Sequence, residues 1–216
     1  TILAIGSSLS PGRFSHAIPN AASKTIINCS VTELDVNKVI PNAHALMGDA
    51  RFSLRALADE LSAKTNGQGR AAGSVQAEVK ASRDNAMAKY REAMASNETP
   101  INPYRVYSEL MNVLDPRKSF VTHESGSARE YMVPFWEARQ PRSFIGWGKS
   151  TQLGYSLGLA MGAKMAAPEK LVINVMGDMA FSTVGLDIET AVRCDIPILT
   201  ILFNNSMMSI YDDSRF

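Results

Sequence analysis

GDMAFSTVGLDIETAVRCDIPILTILFNN, residues 177–205, is the part of the sequence that decides the fold. An apolar run precedes this stretch and another closes it, and both runs are long enough for strands that are buried along their whole length. The predicted elements are a strand at 171–176, a helix at 185–193 and a strand at 198–203. Two such strands joined by a helix are typical of a parallel sheet, in which ligands bind beyond the carboxyl ends of the strands.

The same alternation of strands and helices extends toward the start of the chain. Before this stretch we predict a helix at 103–114, a strand at 119–122 and a helix at 153–166. The first part of the chain is predicted to form strands at 2–5, 25–31 and 45–47 and a helix at 49–61. Between the two parts, a composition rich in Ala, Ser, Asn, Gln and Gly indicates a linker with one helix, at 75–95. The sequence therefore predicts an α/β fold, with parallel sheets covered by helices on both faces.

Composition excludes several classes of protein. The 216 residues carry a net charge of +1 and are 45% hydrophobic, which is typical of a soluble globular protein and gives no field to gather nucleic acid. No apolar run reaches the roughly 18 residues of a membrane span, and the first residues lack the pattern of a signal peptide. Cys29 and Cys194 lack metal-ligand spacing. We expect a cytoplasmic protein with neither a nucleic-acid nor a membrane partner.

Polar residues follow three of the predicted strands at the point where each strand ends. They are residues 123–127, 177–178 and 204–206. Because the carboxyl ends of parallel strands meet at one edge of a sheet, we expect these groups to lie together. The carboxylate of Asp178 and the amide oxygen of Asn205 are hard donors suited to Mg2+, whose coordination is commonly completed by phosphate oxygens. The pattern suggests a site for Mg2+ and a diphosphate.

Backbone groups at the same edge are suited to an anion. The N–H groups of Gly126, Ser127, Met179 and Ala180 lie at loop and helix starts, where the helix dipole favours negative charge. Ser125, in the same loop, is a further candidate cofactor-binding residue. The glycine at 177 would let the backbone approach a ligand closely. Taken singly, the Gly-Asp and Asn-Asn dipeptides also form ordinary turns after buried strands.

Residues 177–205 resemble the signature of enzymes that depend on thiamine diphosphate, which opens with Gly-Asp and ends in Asn-Asn after a helix and a strand. Asp178 and Asn205 are 27 positions apart, as in that family. The resemblance implies thiamine diphosphate and Mg2+ as cofactors. It also implies that the side chains of Asp178 and Asn205 and the main-chain carbonyl of Met207 bind the metal. Gly177 would contact the cofactor, and Met179 stands where Gly is common in the family.

A second segment, GWGKSTQLGYSLGLAMGAKMA at residues 146–166, resembles the part of these enzymes that supports the bent cofactor. By this resemblance, Leu153 is the large apolar residue beneath the pyrimidine ring, although the start of an apolar helix also accounts for Leu153. The carbonyl of Thr151 is expected to accept a hydrogen bond from the 4'-amino group of the cofactor.

Over most of its length the chain resembles enzymes of the acetolactate synthase and benzoylformate decarboxylase type. Residues 1–63 correspond to the C-terminal part of a Rossmann-like central domain, 64–100 to a linker with a helix, and 101–216 to a diphosphate-binding domain truncated at its C-terminus. The family implies a pyrimidine-binding domain of the same or a second subunit, which carries the activating Glu, and a homodimer or homotetramer. We expect the chain to be a fragment with no activity of its own.

The resemblance predicts carbon–carbon bond formation or cleavage on 2-oxo acids, first of all of the acetolactate synthase type. A benzoylformate decarboxylase-like lyase and a 2-hydroxyacyl-CoA lyase or oxalyl-CoA decarboxylase are the alternatives. His123 is the candidate catalytic residue, because a proton donor beside the diphosphate loop could meet the substrate adduct. A hydrogen-bonded histidine that only secures the strand end is the alternative.

Three other classes of protein fit parts of the sequence. A relative that binds the cofactor without turnover would keep the same residues. A P-loop NTPase is suggested by Gly148, Lys149 and Ser150, but Ser143 stands where the first glycine of that motif belongs, and we predict no strand before the loop. A hydrolase is suggested by the His-Glu-Ser run at 123–125, yet side chains of adjacent residues diverge and seldom form a triad.

Overall fold

The computed structural model describes residues 1–11, 17–69, 72–146 and 152–206. The chain divides into two compact units, residues 1–79 and 80–216, each with a parallel sheet. This arrangement confirms the predicted fold class, an α/β structure with parallel sheets and interleaved helices. The domain boundaries proposed from the sequence stay predictions. Within the described ranges, no helix combines the length and the apolar character needed to cross a membrane.

The first unit contains a three-stranded parallel sheet with the order β1-β2-β3. The strands are β1, Ile2–Ile5; β2, Ile26–Ser30; and β3, His44–Met47. Helix α1, Ala50–Thr65, begins after Asp49, whose carboxylate accepts hydrogen bonds from the N–H groups of Arg51 and Phe52 at 2.9 and 3.2 Å. This carboxylate satisfies two of the donors that a helix start leaves unpaired. The three strands and the helix predicted here are confirmed.

Two helices occupy the region predicted as a linker with one helix. They are α2, Ala72–Ala88, and α3, Arg91–Met94. Between them, the ring of Tyr90 packs on Tyr104 and Phe135, with ring centroids 5.2 and 4.6 Å apart. Aromatic contacts of this geometry stabilise beyond the area they bury. The helix predicted at 75–95 is thus divided in two at Tyr90, whose ring packs on residues that are distant in the sequence.

The second unit is built on a four-stranded parallel sheet with the order β5-β4-β6-β7. The strands are β4, Ser119–His123; β5, Phe144–Ile145; β6, Leu171–Gly177; and β7, Leu199–Phe203. The helices that follow α3 are α4, Pro103–Val113; α5, Ser127–Met132; α6, Tyr155–Ala166; α7, Asp178–Val184; and α8, Asp187–Arg193. The three longer strands and α4, α6 and α8 confirm the predicted elements.

Three short elements differ from the prediction. The loop expected after β4 contains α5, and a separate helix, α7, precedes the one expected from residue 185. The expectation that no strand comes before the segment Gly148, Lys149 and Ser150 is wrong, because β5 lies there and pairs with β4. A two-residue strand is too short to show the alternation that identifies a strand in a sequence.

The sheet of the second unit is buried on both faces. Successive side chains of a strand point to opposite faces, so β6 contributes to apolar clusters on both faces of the sheet. Ile173 and Val175 pack against α4 and α5, whereas Val172 and Met176 pack against α6 and α7. The continuous apolar runs of the sequence were therefore interpreted correctly as strands covered on both sides.

Gly154, which immediately precedes α6, is required by both its backbone conformation and its surroundings. Its φ is 89°, and a Cβ added there would lie 2.4 Å from Cγ1 of Val184. We expect Gly154→Ala to destabilise the second unit by about 2 kcal/mol or more, because the strain of the left-handed backbone and the clash with Val184 both raise the free energy of the folded state. Thermal denaturation would show this as a lower Tm.

Gly158→Ala is the matched control, because Gly158 lies within α6 and a Cβ there meets no atom within 4 Å outside the backbone of the helix itself. Higher helix propensity should leave Tm unchanged or raise it, by an amount equivalent to about 0.5–1 kcal/mol. Equal stability of the two variants would contradict the requirement for glycine at 154.

Candidate functional site

The loops that follow β4, β6 and β7 lie at one edge of the sheet. The parallel register pairs His123 with Val175 and Gly177 with Phe203, so each strand ends close to the end of its neighbour. The structure thus brings the three polar segments to a common edge, the place where open parallel sheets bind ligands. The functional roles of their residues stay predictions.

Asp178 and Asn205 come together at this edge. Asp178 is the first residue of α7, and its Oδ2 accepts a hydrogen bond of 2.7 Å from the N–H of Ser206, the residue after Asn205. Its Oδ1 accepts another, of 2.8 Å, from the N–H of Met179. The carboxylate is half-buried and Asn205 is exposed, so both remain within reach of a ligand. Met207, the third predicted metal ligand, lies outside the described residues.

The two helices that start at this edge differ in how their first N–H groups are used. Gly126 precedes α5 with a φ of 72°, and Gly177 precedes α7, so neither helix has a side chain at its cap to satisfy these groups. Such starts favour an anion. The N–H of Ser125, however, donates to Glu124 Oε1 at 2.9 Å, and that of Met179 donates to Asp178. Ala180 is buried within α7.

Leu153 lies directly before Gly154 and is half-buried. It packs against the apolar cluster formed by Leu157, Met176 and Ala180, which belong to α6, β6 and α7. Leu153 therefore lies on the face of the sheet that α6 and α7 cover, one residue before Gly154, whose surroundings include Thr183 and Val184 at the end of α7. Thr151, the residue predicted to bind the 4'-amino group, lies outside the described residues.

His123 is buried at the end of β4, with 5% of its surface exposed. Its Nδ1 lies 3.1 Å from the backbone carbonyl oxygen of Glu124, and its ring stacks on Phe144 with centroids 5.2 Å apart. Because a carbonyl only accepts, Nδ1 carries the proton, and Nε2 faces Gly146, where an added Cβ would lie 2.1 Å from it. These contacts favour a role in securing the strand end, while a catalytic role stays a prediction.

Glu124 is the residue that sequence reasoning missed. Its side chain is fully buried at the end of β4, and its two carboxylate oxygens accept four hydrogen bonds. The donors are the N–H groups of Ser125, Gly154 and Ser156 and the hydroxyl of Ser156. Three of these four bonds reach residues 30 and 32 positions away, so no local pattern announces them.

A surface cavity of about 400 Å3 lies elsewhere in the second unit. It is lined by α8 and by the segment that enters β7, including Val192, Ile196 and Ile198. This segment lies at the opposite end of β7 from Asn205. The cavity is therefore separate from the edge that carries the polar residues.

Residues 124–213 match the family described as thiamine pyrophosphate enzyme, C-terminal TPP binding domain. The matched range includes Glu124, the start of α6 and the whole stretch 177–205. Residues 124–213 are thus similar to the C-terminal TPP binding domain of thiamine pyrophosphate enzymes, and this family implies thiamine diphosphate as its cofactor.

The chain is also a distant homologue of acetolactate synthases and of 2-hydroxyacyl-CoA lyases. It is 30% identical over 122 residues to a probable acetolactate synthase large subunit of Methanocaldococcus jannaschii, covering 54% of this chain and 21% of that protein. It is 31% identical over 170 residues to an acetolactate synthase large subunit of Mycobacterium tuberculosis, covering 79% and 30%. It is 26% identical over 171 residues to a 2-hydroxyacyl-CoA lyase of Saccharomyces cerevisiae, again covering 79% and 30%. The chain therefore spans less than a third of the length of each of these relatives.

Burial lowers the pKa of His123 from its ordinary value of 6.5. The hydrogen bond to the Glu124 backbone partly opposes this lowering of the pKa, the charge of Arg129 adds to it, and the charge of Glu124 has the smallest, opposing effect. Between this lowered pKa and about 6.5, the unfolded chain binds a proton more tightly than the folded one. The free energy of unfolding should therefore fall as the pH falls from about 7.5 to about 5.5. In the His123→Gln variant, which cannot titrate, Tm should fall less over the same range.

An NMR titration of the His123 ring provides the direct measurement. The ring should still be neutral at a pH where an ordinary histidine is half protonated. A midpoint at or above 6.5 would contradict the effect of burial.

Proposed function

We propose that the protein forms or cleaves a carbon–carbon bond in 2-oxo acids with thiamine diphosphate and Mg2+, in the manner of acetolactate synthase. The observation that carries the proposal is the 2.7 Å contact between the Ser206 N–H and the Asp178 carboxylate. This contact brings Asn205 beside Asp178, within the range matched to the cofactor-binding family. The same two residues belong to the dipeptides that open and close the sequence signature.

The donor set at this edge fits Mg2+. Asp178 offers a half-buried carboxylate and Asn205 an amide oxygen, and both are hard ligands of the kind this ion prefers. Mg2+ usually takes few protein ligands and leaves its other positions to phosphate oxygens and water. We propose that Asp178, Asn205 and the carbonyl of Met207 hold the ion, and that the starts of α5 and α7 bind the diphosphate.

The residues of this chain would bind and orient the cofactor. When bound, thiamine diphosphate supplies the nucleophilic carbon and the electron sink for reactions next to a carbonyl group. Leu153, which packs with residues of α6, β6 and α7, would support its bent shape. We propose that a pyrimidine-binding domain of the same or a second subunit completes the site, in a homodimer or homotetramer.

A second candidate is the cleavage of 2-hydroxyacyl-CoA substrates. It is favoured by the similarity to 2-hydroxyacyl-CoA lyases. Both reactions use the same cofactor, and the residues that bind it do not distinguish them. The distinction depends on substrate contacts.

A panel of substrates assayed with the intact protein, thiamine diphosphate and Mg2+ tests the proposal. We expect formation of acetolactate and CO2 from pyruvate, measured as product formed per active site. Turnover of 2-hydroxyacyl-CoA alone would favour the second candidate, and cleavage of benzoylformate or oxalyl-CoA alone would favour the corresponding decarboxylase. Cofactor binding without turnover of any substrate would contradict an enzymatic role and indicate a relative that only binds the cofactor.

Asp178→Asn is expected to weaken cofactor binding in the presence of Mg2+ by at least about tenfold, because it removes the charge of a metal ligand at constant size. Calorimetric titration of the intact protein with thiamine diphosphate, at a fixed Mg2+ concentration, measures the effect. A higher Mg2+ concentration should recover part of the loss.

The matched control is Asp195→Asn. Asp195 is exposed, lies between α8 and β7, and has a φ of 51°, a conformation that Asn tolerates well. The affinity of the Asp195→Asn variant for thiamine diphosphate should equal that of the unsubstituted protein. Equal affinities of the Asp178→Asn and Asp195→Asn variants would exclude Asp178 as a metal ligand.

A further inference from the structure

The buried carboxylate of Glu124 connects two separate parts of the candidate site. Oε1 accepts from the Ser125 N–H at 2.9 Å, in the loop predicted to bind the diphosphate. Oε2 accepts from the Gly154 N–H at 3.1 Å, the Ser156 N–H at 3.2 Å and the Ser156 hydroxyl at 2.8 Å. One side chain therefore holds the loop after β4 and the start of α6 in a fixed relation.

This carboxylate performs the capping function that α6 lacks in its own sequence. The cap residue is Gly154, which has no side chain and which cannot be replaced without a clash with Val184. The first N–H groups of a helix need an acceptor, and a negative charge near them is stabilised by the helix dipole. Glu124 supplies both from the end of a strand.

All four partners of Glu124 donate, so a carboxylate matches them on both oxygens. A glutamine of the same size would turn an amide NH2 toward at least one of these donors. A buried donor without an acceptor is costly, so the surrounding chain would have to shift. The segment most directly affected is Leu153 and Gly154, because Oε2 binds the Gly154 N–H.

We propose that Glu124 is a positioning residue, which sets the place of Leu153 relative to the diphosphate end of the cofactor. This inference rests on the proposed function, because it assumes that Leu153 supports bound thiamine diphosphate. Glu124 itself does not touch the reacting atoms. It acts by fixing the backbone at Gly154, next to Leu153. The position of Leu153 would in turn determine the bend of the bound cofactor.

The experiment compares Glu124→Gln, Ser156→Ala and the control Glu109→Gln in the intact protein. Glu109 lies on α4, where it is half exposed and bonded to Arg105 at 2.8 Å. The main readout is the rate of hydrogen exchange at C2 of the thiazolium ring, measured by NMR with saturating thiamine diphosphate and Mg2+. This rate depends on the bend of the bound cofactor, whereas a loss of stability alone does not change it once the site is saturated.

We expect Glu124→Gln to slow this exchange by about tenfold or more at saturation, because displacements near 1 Å have effects of this order or larger. Ser156→Ala, which removes only the hydroxyl donor, should slow it less, and Glu109→Gln should match the unsubstituted protein. A lower Tm for Glu124→Gln with an unchanged exchange rate would overturn the proposal and leave Glu124 a residue of stability only.

If Glu124→Gln does not fold, the Ser156→Ala variant provides the test. An exchange rate of Ser156→Ala within about twofold of that of the unsubstituted protein would overturn the proposal, because a positioning effect should be larger than twofold. Failure of the unsubstituted protein to bind thiamine diphosphate would instead reject the proposed function, and the role of Glu124 with it. Binding and exchange in the unsubstituted protein, with no effect of either variant, would reject the role of Glu124 alone.

Discussion

Parallel pairing of β6 with β4 on one side and β7 on the other is the constraint on which the rest of the second unit depends. Strands that run in the same direction end on the same side, so the residues that follow them share an edge. Helices cover β6 on both faces, so the polar residues that must reach a ligand or solvent lie after the end of the strand. The contact between Asp178 and the Ser206 N–H exists because β6 and β7 end in register, at Gly177 and Phe203.

Apolar packing alone would not fix where α6 begins. Ser156 makes polar contacts in two directions, since its N–H and hydroxyl donate to Glu124 and its carbonyl lies 3.3 Å from Thr122 Oγ1. Thr122 Oγ1 is also 3.1 Å from Asn174 Oδ1, in the middle of β6. Buried polar groups are costly when left unpaired and directional when paired. The first turn of α6 is thus tied to both the middle and the end of the sheet, whereas hydrophobic contacts would allow it to slide.

Much of this arrangement could be predicted from the sequence, because it depends on local pattern. The apolar runs that form β6 and β7 predicted buried strands, and the positions of Asp178 and Asn205 after the ends of these strands predicted their approach. The short elements α5, α7 and β5 were not predicted, because two to seven residues show too little periodicity to identify a helix or a strand. Glu124 was not predicted for another reason: three of its four hydrogen bonds reach residues 30 and 32 positions away, which only the fold brings close to it.

The close approach of His123 and Gly146 has a consequence for how this region can evolve. The imidazole occupies the space that any side chain at position 146 would need. A lineage that gained a larger residue at 146 would have to replace the histidine with something smaller, and neither change would be tolerated for long without the other. The two positions are therefore expected to be inherited as a pair, although 22 residues separate them in the chain.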